Sequence, residues 1–309
     1  MKRVILLANM GAPLSEKEMK VFLKRMFNDK AIIYAPKPVR WFVSEIISNI
    51  RYKSSWKKYQ QIGGTPLQRS MDAMAIDLQL LLGNDYLVKS VYSYSPPFIE
   101  NTISELYTDG LKDFTVISMY PQASFSTTGS LETSIHKVKN LLPGLKIHFY
   151  EDYYDNQQFV NFWVEQINKS ISKNKLENPY LLFSSHAIPQ SFIKRGDKYA
   201  EKMEISARLV ANALHLPYSL GYQSKIGPTP WTKPYTVDVL KKISIDKNYD
   251  VVVVPLSFIN ENLETRYDLD TELIPFGKND LNISNICRVE IPVSDRILVE
   301  MFNNFILKK

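Results

Sequence analysis

VILLANMGAP, residues 4–13, runs unbroken through aliphatic residues from Val4 to Ala8 and then stops at Asn9, Gly11 and Pro13. A short apolar run bounded by turn formers reads as a strand covered on both faces. The same shape returns in YLLFSSHAIP, residues 180–189, again an apolar run, then polar residues, then Ala and Pro. Duplication would produce this echo, and so would two unrelated buried strands.

Working outward, further strands are predicted at 86–94, 114–119, 146–150, 218–223, 250–255 and 288–291. Helical patterns lie between them, near 67–82, 130–142, 158–172, 199–214, 234–243 and 261–273, with a last one over 294–307. A first helix is announced by Ser15 with Glu18 three residues on, the pattern of a capping box. Strand–helix alternation predicts parallel sheets with helices on both faces, and the two echoing strands start two doubly wound halves. The chain crosses between them near 152–159. In such folds ligands gather at the carboxyl ends of strands.

The chain has 309 residues, enough for two domains of about 150 each. Apolar residues make up 45% and charged ones 23%, which excludes disordered and fibrous classes. The net charge of +6 comes from scattered cations, and no nucleic-acid motif accompanies it, so no nucleic-acid partner is expected. With one cysteine, Cys287, the chain cannot supply a disulfide or a thiolate-ligated iron–sulfur cluster, and a reducing compartment fits. No apolar run reaches the ~20 residues of a membrane span, and the opening run is too short for a signal peptide. Glycine-rich nucleotide loops, G-x-S-x-G and H-E-x-x-H are absent.

Three features bear on chemistry. His186 ends the apolar run YLLFSS, at a strand's carboxyl end, where it reads as a ligand, a proton carrier or a structural histidine. In FINENLETRYDLDTEL (258–273), Glu261, Glu264, Asp268 and Glu272 follow one another at steps of 3, 4 and 4. On a helix they form an acidic stripe: a solvated face, or a path for protons and a hard cation. The loop GYQSKIGPTP (221–230) carries turn formers Gly227, Pro228 and Pro230 and ends at Trp231, a candidate cap over an apolar ligand or a plug at a domain junction. The segment 31–53 interrupts the alternation with Trp41, Phe42, Ile46, Ile47 and Ile50 flanked by Lys37, Arg40, Arg51 and Lys53. It is read either as an interfacial helix or pocket lip or as a helix packed on the sheet.

At these residues the chain resembles ferrochelatases. The resemblance rests on LLANMGAP (6–13), YQQIGGTPL (59–67), MYPQASFSTTGS (119–130), FSSHAIPQSFIKRGDKY (183–199), YQSKIGPTPW (222–231) and PLSFINENLETRYDLD (255–270), in the family's order. It implies an α/β protein of two Rossmann-like domains of the type II chelatase kind, each a four-stranded parallel sheet flanked by helices. It implies a porphyrin cleft between residues 1–155 plus 294–309 and residues 156–293. It implies insertion of Fe(II), as substrate metal, into protoporphyrin IX, with no tightly bound cofactor and no cluster. His186 and Glu264 fall on the metal and proton-transfer pair, and Glu261, Asp268 and Glu272 extend it as an acidic relay. Met10, Arg51, Tyr59, Thr65, Ser126 and Trp231 fall on porphyrin-side positions, and methionine at position 10 matches protoporphyrin users. A coproporphyrin chelatase and a non-catalytic tetrapyrrole carrier are the alternatives. The expected setting is a cytoplasmic monomer with peripheral membrane contact through 31–53.

There are departures from the family pattern. Glu261-Asn262 replaces its Asp-His, Arg266 stands at a commonly apolar position, and the three-glycine IGGGSP is shortened to Ile62-Gly63-Gly64-Thr65-Pro66. Ser93 replaces an arginine, and Phe125 stands where clustered members carry a cysteine.

Overall fold

The computed structural model describes residues 2–225, 229–246 and 248–307. It separates into two compact units, Met1–Asp152 with Val293–Lys309 and Tyr153–Pro292.

In the first unit, β1 (Arg3–Asn9) is followed by α1 (Glu16–Phe27), α2 (Lys37–Gln61) and α3 (Pro66–Leu82). Then come β2 (Tyr86–Tyr92), α4 (Ile99–Thr108), β3 (Asp113–Ser118), α5 (Thr128–Lys139) and β4 (Lys146–Tyr150). The strands form one parallel sheet in the order β2-β1-β3-β4. Val4 to Ala8 are fully buried because β1 is flanked by strands on both edges and helices on both faces. On one face Val4, Leu6 and Ala8 pack with Val91, Phe114 and Val116 beneath Ile99 and Ile103 of α4 and Leu131 and Ile135 of α5. No helix was predicted at α4, although Ile99, Ile103 and Leu106 recur at helical spacing. Ser15 caps α1 by accepting from the Glu18 N–H at 3.2 Å. The Glu18 carboxylate takes the Leu14 N–H at 2.9 Å, one residue before the usual reciprocal bond.

The second unit contains α6 (Gln157–Asn174), β5 (Pro179–His186), α7 (Gln190–Lys194), α8 (Tyr199–Leu214), β6 (Tyr218–Gln223), α9 (Thr236–Ile243) and β7 (Asp250–Val254). A π-helix (Glu264–Leu273), α10 (Ile274–Asn279) and β8 (Ile286–Arg288) complete it. Its parallel sheet runs β6-β5-β7-β8, the first sheet's order shifted by four strands. The echoing segments thus form topologically equivalent strands, β1 and β5, each second in its sheet. The last strand lies earlier than predicted: it ends at Arg288, whose side chain turns into an ion-pair network, and Glu290 and Ile291 lie beyond it. Leaving this unit, the chain returns to the first through α11 (Arg296–Leu307), which packs on α3. Ser70 Oγ donates to the Val293 carbonyl at 2.8 Å, and Tyr150 stacks on Phe305 with centroids 5.1 Å apart.

The acidic stripe departs from expectation in form. An ordinary helix was predicted from Glu261, whereas the wide i→i+5 turns begin at Glu264. Thr265, Leu269 and Leu273 are buried at steps of four, beside Glu264, Asp268 and Glu272 at the same steps. A step of four lies between the 3.6 residues of an α-turn and the wider π-turn, so both rows keep their own sides of the helix.

Candidate active site

His186 is the last residue of β5, and its backbone is fixed on two sides. Its N–H donates to Ser257 Oγ at 3.2 Å, in the loop leaving the neighbouring strand β7. Ala187 N–H then donates to the carbonyl of Gln223, the last residue of β6, at 2.8 Å. Below the imidazole, Ser184 Oγ donates to Gln223 Oε1 at 2.8 Å and meets Thr236 Oγ1 at 2.9 Å. The start of α9 approaches this layer closely: a Cβ on Gly221 would lie 2.7 Å from Thr236 Cα, so only glycine fits.

The imidazole faces Glu264, the first residue of the π-helix. Nδ1 and the carboxylate oxygen Oε2 are 3.2 Å apart. Both atoms are buried, yet their mutual orientation misses hydrogen-bond alignment and neither has another partner. Burial acts to lower the His186 pKa, but the charge and proximity of Glu264, with Asp268 behind it, outweigh that, and the net shift is upward. Asp268 Oδ2 accepts from Ser224 Oγ at 2.5 Å. Exposure rises along the row: Glu264 and Asp268 are half-buried and Glu272 is open to solvent.

Glu261 occupies a different place from the one predicted. It is 5% exposed and turned into an ion-pair network rather than continuing the row. Its Oε1 accepts from Arg288 Nη1 at 3.0 Å and from the Ile291 N–H at 3.1 Å. Its Oε2 accepts from Thr265 Oγ1 and lies 3.5 Å from Arg266 Nε. Arg288 also forks onto Asp270, Nε to Oδ1 at 2.7 Å and Nη2 to Oδ2 at 2.9 Å. Burial would lower the Arg288 pKa, and the two carboxylates reverse that. The two departures at 262 and 266 have structural roles. Asn262 caps the π-helix: its Oδ1 accepts from the Thr265 N–H, and its own N–H donates to Thr265 Oγ1, both at 3.0 Å. Arg266 closes the outer side of the network, 3.8 Å from Asp270.

Gly227 and Pro228 lie outside the described residues. Past them the loop returns to the histidine's own strand. Pro189 and Trp231 form a bridge, and the Thr232 N–H donates to the Ile188 carbonyl at 2.9 Å. Trp231 is thereby held a few residues beyond His186, half-buried.

In the first unit, Met10 follows directly on β1 and packs half-buried on the core, with its carbonyl taking the Tyr94 N–H at 3.0 Å. Thr65 precedes α3 and donates to the Pro13 carbonyl at 2.6 Å, which ties it to the loop leaving β1. Ser126, in the loop after β3, lies 3.2 Å from Ser124 Oγ. Met10, Thr65 and Ser126 therefore share the carboxyl edge of that sheet. Arg51 and Tyr59 are on α2, where Tyr59 is buried and stacks on Trp56 at 6.2 Å.

Ser257, Tyr199 and Arg288 were missed in the sequence. Tyr199 is buried behind the histidine with its hydroxyl against Ser257; burial first, then Tyr222 and Glu264, hold its phenol well above the ordinary value. The quoted motifs contain Tyr199 in GDKY and Ser257 in PLSF without assigning either a role, and nothing local marked Arg288. A cavity of about 480 Å³ lined by Tyr180, Leu220, Val239, Lys242, Ile243 and Tyr249 opens at the amino-terminal end of the same sheet, away from this chemistry. Among the described residues, no three His, Cys, Asp or Glu side chains converge as a metal cage.

A family model described as Ferrochelatase matches residues 2–309. Relatives named Ferrochelatase include that of Aquifex aeolicus, 33% identical over 88% of this chain and 88% of that protein. The one from Rippkaea orientalis is 32% identical over 98% of this chain and 81% of its own length, and the one from Sulfurihydrogenibium 30% over 98% and 97%. Among solved structures, SirB from Bacillus subtilis with Fe3+ superposes with a TM-score of 0.61 at 11% identity, covering 100% of this chain and 95% of that one. The sirohydrochlorin chelatase SirB with cobalt gives 0.57 at 12% identity, over 98% and 93%. These two likenesses establish a shared fold.

Proposed function

The chain belongs to the ferrochelatase family, and on that premise we propose that it inserts Fe(II) into protoporphyrin IX, the step that completes haem, at His186 and Glu264. The observation that carries this is the 3.2 Å approach of two buried, hydrogen-bond-free atoms, His186 Nδ1 and Glu264 Oε2. A base held this close to a carboxylate can take up a proton that the carboxylate then stabilises.

Insertion exchanges two pyrrole N–H protons for one divalent metal. With Nδ1 facing Glu264, the tautomer that places a proton on Nδ1 leaves Nε2 as the basic nitrogen. Nε2 accepts the two pyrrole protons in turn, each leaving through Nδ1 to the Glu264 carboxylate and on to solvent, and Glu264 stabilises the imidazolium formed at each transfer. Glu264, Asp268 and exposed Glu272 then form a graded route between the pair and solvent, for protons outward or iron inward. Glu261 is outside that route, because Arg288 holds it. Met10, Arg51, Tyr59, Thr65, Ser126 and Trp231 are read as porphyrin contacts, with Arg51 suited to a propionate. Met10 supports protoporphyrin, since the extra propionates of coproporphyrin need donors that a thioether does not offer.

The single cysteine supports a member without an iron–sulfur cluster. We read it as a monomer working in the cytoplasm against the inner membrane face. On α2, Val39, Phe42, Ile46 and Ile50 recur at helical steps and are all exposed, Ile50 by 73%, with Trp41 beside them. Lysines 37, 53 and 57 continue the same helix, a pattern suited to lying on an anionic bilayer surface. No helix among the described residues is long and apolar enough to cross a membrane.

The test is to mix the protein with Fe(II) and protoporphyrin IX without oxygen, follow haem absorbance, and run coproporphyrin III beside it. Turnover on protoporphyrin is expected. Preference for coproporphyrin overturns the substrate assignment, and tight binding without insertion of Fe(II) or Zn(II) overturns the enzyme assignment.

A further inference from the structure

We infer that Arg288 is a positioning residue for metal insertion: its buried guanidinium grips Glu261 and Asp270 and so sets the direction in which the π-helix presents Glu264 and Asp268. The inference rests on the reading of His186 and Glu264 as the insertion pair.

The two gripped carboxylates bracket the two presented ones in sequence. Glu261 precedes the π-helix, Asp270 lies within it, and Glu264 and Asp268 fall between. Two residues along a helix turn to roughly its opposite side, so Asp270 faces away from Asp268. Arg288 therefore holds the helix by its back. The Arg288 side chain is 2% exposed and all three of its nitrogens are engaged: Nε and Nη2 fork onto Asp270 at 2.7 and 2.9 Å, and Nη1 reaches Glu261 at 3.0 Å. Nη1 also donates to the Val289 carbonyl at 2.9 Å, which fixes the fork to its own backbone.

Stability alone is a weak reason for this arrangement. Well-packed apolar residues in place of a buried ion pair are often neutral or stabilising. What a planar fork supplies is direction, since two parallel N–H···O bonds fix a carboxylate in angle as well as in distance. A π-helix needs such a guide more than an α-helix does, because its wide turns pack less tightly against themselves. The base and its carboxylate are thus oriented by separate devices. Strand β5 and Ser257 hold His186, while Arg288, with Arg266 on the outer side, holds the helix that carries Glu264.

The experiment uses the full chain carrying Asp270→Asn or Arg288→Lys, with ferrous iron and porphyrin varied separately. Asp270→Asn keeps the side-chain shape and removes half the fork; Arg288→Lys keeps the charge and removes the fork. The KM for Fe(II) is expected to rise about 10–100-fold in both variants. The KM for porphyrin and the quenching of porphyrin fluorescence on binding stay at wild-type values. If Arg288→Lys does not fold, Asp270→Asn carries the test. Wild-type KM for iron in a folded Asp270→Asn overturns the inference, as do parallel changes in both KM values. Glu264→Gln separates this from the reading beneath it: normal insertion by Glu264→Gln removes the pair assignment. A dead Glu264→Gln beside an unaffected Asp270→Asn removes only the role of Arg288.

Discussion

His186 Nδ1 and Glu264 Oε2 lie 3.2 Å apart, within ion-pair distance and outside hydrogen-bond alignment. Burial lowers the imidazole pKa, and coulombic attraction from Glu264 is the largest of the effects that raise it. His186→Ala and Glu264→Gln are each expected to lower the insertion rate about a hundredfold or more, as loss of a positioned proton acceptor does. Stopped-flow haem formation measures this, and retention of more than about a tenth of the wild-type rate by His186→Ala would place the base elsewhere.

The same pair sets a pH dependence. Burial depresses the imidazole pKa, Glu264 and Asp268 raise it, and the balance is above the ordinary value of 6.5. The neutral base thus becomes available only above that ordinary value, and the acid limb of the rate profile should lie correspondingly high. Protonation is favoured in the native state. The histidine's stabilising contribution is therefore full below 6.5 and is lost as pH rises through the raised native value. Carbon-13 NMR of the imidazole checks both statements, and Glu264→Gln should move its titration downward.

Asn262 caps the π-helix through Thr265, with two bonds of 3.0 Å. Asn262→Ala should lower stability by about 1 kcal/mol in urea unfolding, as loss of an N-cap does. A wild-type midpoint would mean that the cap contributes nothing to stability.

The apolar row on α2 makes the surface reading testable. Trp41→Ser with Phe42→Ser removes two side chains that would each contribute about 1.5–3 kcal/mol on burial in a bilayer interface. Co-sedimentation with anionic vesicles should fall more than about tenfold, while insertion into detergent-solubilised porphyrin is retained. Equal sedimentation of both proteins would sink the membrane role of this face.

Much of the fold was legible because parallel sheets write themselves as apolar runs. Val4–Ala8 and Leu181–Phe183 are buried on both faces, so the signal needs no knowledge of neighbours. The Ser15 cap was legible because its bond is local. What stayed hidden is what depends on distant partners. Glu261 reads as one more acid in a row until Arg288, far along the chain, pairs with it. A helix of wide turns looks like an ordinary one in sequence, since steps of four satisfy both. His186 and Glu264 stand out in the sequence by resemblance and position, whereas Ser257 and Tyr199 lie inside two of the quoted motifs with nothing local to show that they meet beside the histidine.

The return of α11 to α3 bears on how the chain is made. A ribosome delivers residues in order, and domains generally fold as units as they emerge. The second unit, Tyr153–Pro292, is continuous and is complete once Pro292 has emerged. The first lacks Val299, Met301 and Phe302 of α11, buried residues of its core, until after that point. The half translated first is thus the half finished last, and until then its nascent form presents the apolar surface of α3 that a chaperone would recognise.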